Sequence, residues 1–188
     1  MTVARNNCGR VGAALTAIRN AGINVLRVLF GSLYLVRGDS MSPTLRDGDL
    51  IHVRRGSGSS ARYERGSILV AEMRSPSGDN NLVTNVKRVV GLPGELVHVG
   101  SDGIVSIEGT SLEEPYLPAR AQRAPDPGLS WLCDDDEYFL MGDNRADSGD
   151  SRRFGPVPVS SIVGRMWLRL PTRRLLCRKS AHRARGTG

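Results

Sequence analysis

From about residue 33 onward, apolar residues come in short runs of four to nine positions broken by Gly, Pro, Asn and Asp. This is the pattern of β-strands joined by turns. The runs are Leu33 to Arg37, Leu50 to Arg54, Ile68 to Met73, Leu82 to Val90, Leu96 to Val99, Ile104 to Ile107, Tyr138 to Met141 and Ile162 to Leu170. No segment after residue 36 shows helical periodicity of comparable strength, which disfavours helical bundles and strand-helix-strand repeats. Residues 33–170 are therefore expected to form one mainly antiparallel β unit. Residues 109–137 carry four Pro and the acidic run Asp134 to Glu137, and read as a long surface loop inserted between strands.

Before the β-type region, residues 11–36 form the longest mainly apolar stretch, long enough as a helix to cross a bilayer. Four polar residues change that reading. At helical spacing Arg19, Asn20, Asn24 and Arg27 fall in one arc, while Val11, Leu15, Ile18, Gly22, Val25, Leu29 and Leu33 gather opposite. The pattern predicts a basic amphipathic helix that lies in the membrane interface with Arg reaching the phosphates, at less cost than spanning with two Arg near its middle. A helix packed on the protein's own core is the plainer alternative. The stretch leads directly into the strongest motif of the chain instead of a cleavage site, so a removable leader is not expected. Residues 1–32 are thus read as a membrane-associating segment and residues 171–188 as a disordered basic tail.

Charge sharpens this division. The 188 residues have a formal net charge of +7, yet all 19 acids lie between residues 38 and 164, while 13 of the 26 basic residues lie outside that range. Basic ends beside apolar residues suit an anionic lipid surface, whereas a nucleic-acid binder places positive charge on its folded domain, so no nucleic-acid partner is expected. Cys8, Cys133 and Cys177 are too few and scattered for a disulfide framework, and His52, His98 and His182 lie too far apart for a metal cluster. Neither a metal nor a cofactor is expected.

Three constellations carry chemistry. The first is Gly38-Asp39-Ser40-Met41-Ser42-Pro43-Thr44, a tight turn at a strand end that can present the Ser40 hydroxyl. A serine needs a neighbour to take its proton, and His52 and His98 sit in no motif that would orient them. Lysine can serve if burial leaves it neutral, and the chain has only two, Lys87 within the apolar run Leu82 to Val90 and Lys179 in the basic tail. The third constellation, Met141 to Gly155, packs hydroxyls, acids and Arg into a turn after an apolar strand. It offers Ser148 as a hydrogen-bond partner for the Lys87 amine and an Asp150 to Arg152 ion pair to hold the loop.

Taken in order, Ser40-Met-Ser-Pro-Thr44, Gly48-Asp-Leu-Ile51, Lys87-Arg-Val-Val-Gly-Leu-Pro-Gly-Glu95 and the Gly142 to Gly155 block resemble the ordered sequence blocks of type I signal peptidases. Glu114-Pro-Tyr-Leu117 is similar to a segment of Gram-positive members. The resemblance implies a signal peptidase-like β-barrel fold of conjoined antiparallel sheets. It implies Ser40 as nucleophile, Lys87 as general base, Ser148 as the residue orienting Lys87, and Asp143, Arg145, Asp150 and Arg152 as loop supports. Some members carry a hydroxyl two positions before the nucleophile; Gly38 stands there, so the oxyanion hole is expected to rest on backbone N–H groups, including that of Ser40. Val36, Val86 and Met41 are implied to line pockets for small residues before the cut, so that Ala-x-Ala ends of pre-protein signal peptides fit. The implied location is the extracytoplasmic face of the cell membrane, in contact with lipid. Members usually carry clear transmembrane anchors, which segment 11–36 does not match. Other readings are a dedicated maturation peptidase, a self-cleaving regulatory Ser/Lys protease and an inactive membrane adaptor. The regulatory one needs a DNA-reading domain for which residues 1–32 are too short, and the intact Ser40 and Lys87 speak against the adaptor.

Overall fold

All eight apolar runs form strands, with ends within one residue of the expected ones. The protein is seen in a computed structural model that describes residues 2–5, 31–56, 61–74, 81–118 and 128–170, with only the backbone of 2–5. The strands are β1 (Thr2–Arg5), β2 (Ser32–Arg37), β3 (Leu50–Arg55), β4 (Ile68–Arg74), β5 (Leu82–Gly91), β6 (Leu96–Val99), β7 (Val105–Ile107), β8 (Thr110–Ser111), β9 (Leu129–Leu132), β10 (Glu137–Met141), β11 (Val157–Pro158) and β12 (Ile162–Leu170). A single-turn helix α1 (Ser151–Phe154) and a 3-10 turn at Val159–Ser161 complete the described elements.

The larger sheet runs β1-β2-β3-β12-β4-β5-β10-β11, and β1 also pairs with β5. That extra pairing closes six strands into a barrel, which removes their open edges, and leaves β10 and β11 branching from β5. A second sheet, β8-β7-β6-β9, packs beside it, so the predicted conjoined antiparallel sheets are present. Strand β10 joins the two because both its faces are buried. Tyr138 and Leu140 enter one apolar cluster with Leu69 and Val89, while Phe139 and Met141 enter another with Val97, Val99 and Val105. Alternation of side chains along a strand makes this double burial possible.

Two expectations need correction. Residues 109–137 are not one irregular loop: they hold β8 and β9, and β9 pairs with β6 in the register Leu96↔Leu132 to Val99↔Leu129. The apolar stretch 11–36 also does not run on as a helix to residue 36, since Ser32–Arg37 is strand β2. The rest of the expected helix, residues 11–30, lies outside the described residues, as does the tail 171–188. Among the described residues no helix is long and apolar enough to cross a membrane. Residues 2–5 form strand β1, paired Thr2↔Arg37, Val3↔Val36, Ala4↔Leu35 and Arg5↔Tyr34.

Candidate active site

The turn after β2 is held by its own polar residues. Gly38 has φ +79°, a conformation L side chains rarely adopt, and its N–H donates to Asp47 Oδ1 at 2.9 Å. The Leu45 N–H donates to the Met41 carbonyl at 2.8 Å, so residues 41–45 coil back and carry Ser40 inward. Ser40 is 3% exposed. Facing it, Lys87 projects from the middle of β5, fully buried, and its Nζ donates to Ser40 Oγ at 2.8 Å. The two residues, 47 apart in sequence, are thus brought to hydrogen-bond distance.

Burial lowers the Lys87 pKa from 10.5, because the charged ammonium loses its water; Asp150 pulls it back up and Arg152 presses it down. Among the described residues no carboxylate forms an ion pair with Lys87. A neutral amine has a free lone pair, so the contact that Nζ now donates can reverse and accept the Ser40 proton. Neither histidine competes. His52 stacks edge-on against Trp167 at 5.7 Å between ring centroids, and His98 Nδ1 pairs with Ser130 Oγ at 2.9 Å on the second sheet.

The loop from Gly142 to Gly155 wraps both residues. Asn144 N–H donates to the Ser40 carbonyl at 2.9 Å, which fixes the nucleophile's backbone. At Gly142 a Cβ would stand 2.2 Å from Ser148 Oγ and 2.5 Å from the Ser40 carbonyl, so only glycine permits this approach. The expected Asp150 to Arg152 pair forms, with Arg152 Nε at 2.9 Å from Asp150 Oδ1. Asp150 also caps α1 and accepts the Gly142 N–H at 3.0 Å. Burial alone would raise the Asp150 pKa, but Arg152, the Gly142 N–H and Ser148 outweigh it and leave the carboxyl below 3.8. Asp143 binds Arg88 in two places, at 2.8 Å and 2.6 Å, and Arg145 grips Glu114 through both terminal nitrogens. Tyr116 lies with its ring 3.9 Å from the Arg88 guanidinium.

Not every predicted contact is made. Ser148 Oγ is buried beside Gly142 and leans toward Asp150, whose carboxylate it helps stabilise, and among the described residues it makes no hydrogen bond to Lys87. The Gly38 N–H is already taken by Asp47, so Gly38 shapes the turn and is no free oxyanion donor, whereas the Ser40 N–H makes no hydrogen bond among the described residues. Val36, Met41 and Val86 lie together in one apolar cluster, fully buried among the described residues, and β1 pairs with the β2 edge beside Val36. Arg88, Glu114 and Tyr116 were quoted in sequence blocks without a role. A second cation inside the apolar run of β5 was the available signal that a buried anion had to lie near.

The family described as signal peptidase, peptidase S26, matches residues 10–170 of the chain. A signal peptidase I of Bacillus amyloliquefaciens is 37% identical over 139 residues, covering 70% of this chain and 69% of the relative. Signal peptidase I S of Bacillus subtilis strain 168 is 39% identical over 127 residues, covering 63% of this chain and 65% of the relative. Among solved structures, a signal peptidase I from Enterococcus faecalis V583 aligns with 30% identity and TM-score 0.47, over 56% of this chain and 97% of that one.

Proposed function

The chain belongs to the signal peptidase family of peptidases and is a serine endopeptidase of the signal peptidase I type, and we propose that Ser40 and Lys87 are its catalytic dyad. The observation that carries this is the buried 2.8 Å contact between Lys87 Nζ and Ser40 Oγ. The neutral amine takes the Ser40 proton as Oγ attacks the carbonyl carbon before the scissile bond. The oxyanion then faces the unengaged Ser40 N–H. The Lys87 ammonium gives its proton to the departing amine; the neutral Lys87 amine then deprotonates a water that attacks the acyl carbon, and passes that proton to Ser40 Oγ as the carboxyl product leaves.

The substrate reading is a signal peptide of a pre-protein, cut after small residues in an Ala-x-Ala pattern. It binds as an added strand along β2, running toward Ser40, with its alternate side chains over Val36, Val86 and Met41. Strand β1 occupies that edge in the opposite direction, so a substrate takes its place by displacing Thr2–Arg5. The basic amino-terminal segment holds the enzyme on anionic lipid at the extracytoplasmic face, where exported chains emerge. Asp143, Arg145, Asp150 and Arg152 support the loop, with Ser148 packed between Gly142 and Asp150.

One experiment tests the whole reading. Purified full chain is floated with anionic vesicles and a pre-protein, and the new amino ends are identified by mass spectrometry. The expected result is co-flotation and cleavage after Ala-x-Ala, lost in Ser40→Ala and blocked when the residue before the cut is Phe. Normal cleavage by Ser40→Ala, or efficient cleavage after Phe, overturns it.

A further inference from the structure

Glu114 lies 28 residues before Gly142 in sequence, yet its carboxylate is 4% exposed and locked against the side chain of Arg145, itself 2% exposed. Arg145 Nη1 donates to Glu114 Oε2 at 2.8 Å, Nη2 donates to Oε1, and Nε donates to the Gly142 carbonyl at 3.1 Å. Tyr116 closes the same unit: its hydroxyl donates to Glu114 Oε1 at 2.5 Å and its ring covers the Arg88 guanidinium. Arg88 in turn holds Asp143 and the Gly66 carbonyl, the latter at 2.7 Å. One short segment after β8 therefore grips two arginines, one following Lys87 on β5 and one inside the turn that binds Ser40.

We infer that Glu114 and Tyr116 are positioning residues for catalysis, which hold the Gly142–Arg145 turn against the nucleophile and so set the Ser40 to Lys87 geometry. The coupling is short at every step. Glu114 fixes Arg145, Arg145 fixes the Gly142 carbonyl, the next residues include Asn144, and its N–H holds the Ser40 carbonyl. From the other side Tyr116 restrains Arg88, whose backbone adjoins that of Lys87. A buried pair of this kind adds less to net stability than its contacts suggest, because desolvation opposes it, but it selects one geometry over others. Geometry is what a proton transfer between Ser40 and Lys87 needs, and displacements of about 1 Å at such a site cost on the order of a hundredfold in rate.

This inference rests on the Ser40/Lys87 reading. Its test is steady-state kinetics of the full chain on one Ala-x-Ala peptide across pH, with thermal unfolding of each variant. Glu114→Gln keeps the shape and removes the anion; it is expected to lower kcat by about tenfold with KM within about twofold. It is also expected to move the midpoint of the kcat/KM profile upward, because a loosened turn lets water reach Lys87. Tyr116→Leu should act the same way if Glu114→Gln fails to fold, while Tyr116→Phe, which retains the ring over Arg88, should lose no more than about threefold. A fall in melting temperature with kcat, KM and pH midpoint unchanged makes these residues structural only and overturns the inference. If Ser40→Ala and Lys87→Arg stay active, the dyad reading fails; if they are dead while Glu114→Gln and Tyr116→Leu are normal, this inference fails alone.

Discussion

Lys87 and Arg88 are neighbours on β5, both with little exposure, and their surroundings are opposite in kind. Around Arg88 stand a two-pronged carboxylate, a backbone carbonyl and an aromatic face, all of which suit a guanidinium. Lys87 is wholly buried, which favours the neutral amine against the pull of Asp150, and its Nζ meets the Ser40 hydroxyl. Alternation along the strand sends the two side chains to different faces, so one β-strand supplies a base to one region and a clamp to the next. Arg, whose charge cannot be removed at ordinary pH, suits the clamp; Lys, whose pKa responds to burial, suits the base.

Making Lys87 like its neighbour should break this division most severely. Lys87→Arg retains a cation that cannot accept the Ser40 proton, and the catalytic rate is expected to fall by at least about 10³-fold. The parent enzyme should show kcat/KM rising with pH through the lowered Lys87 pKa, since only the neutral form is competent. Initial rates on one peptide from pH 5 to 10 check both statements. A near-normal Lys87→Arg rate, or a parent profile that falls over that limb, removes Lys87 as base.

The reverse exchange is milder. Arg88→Lys keeps a charge near Asp143 but gives up the forked contact, the Gly66 carbonyl bond and the flat face against Tyr116. It should lower stability by about 2–3 kcal/mol, because Asp143, wholly buried, loses half its partners. Activity should fall by roughly tenfold without a change in which residue is the base. Denaturant unfolding and the same kinetic series measure the two losses; a stability equal to the parent's shows that the fork is dispensable.

This contrast also explains what could be read from the chain. The strands were legible because apolar runs and turn residues are local signals, and Lys87 was legible because it is one of two lysines in a chain rich in arginine. Strands β1, β8 and β11 were not, since Thr2–Arg5, Thr110–Ser111 and Val157–Pro158 hold no apolar run of their own and are fixed by the neighbours they pair with. Strand β9 was hidden by the prolines around it. Asp143 and Arg145 were recognised as loop supports, but their partners Arg88 and Glu114 lie 55 and 31 residues away. An ion pair leaves no periodicity in the sequence, so only the fold reveals it. The expected bond from Ser148 to Lys87 illustrates the converse: a hydroxyl in the right loop is buried near the site without making that contact.

The smallest expected effect concerns stability. A buried lysine is costly when charged, so replacing it with an apolar side chain of similar length should strengthen the fold even as it abolishes activity. Lys87→Met is expected to gain about 1–2 kcal/mol near neutral pH. The pH dependence follows from the lowered pKa. Between that value and the 10.5 of the unfolded chain, the unfolded state binds a proton at Lys87 that the folded state has released. Parent stability from this group therefore rises with pH across that window and levels off above it. The variant lacks the group, so its advantage should be greatest below the folded pKa and shrink as pH rises. Chemical denaturation of both proteins at pH 6, 8 and 10 measures the margin, and a margin that grows with pH would show that Lys87 is held as an ammonium ion, with Ser40 then in need of another base.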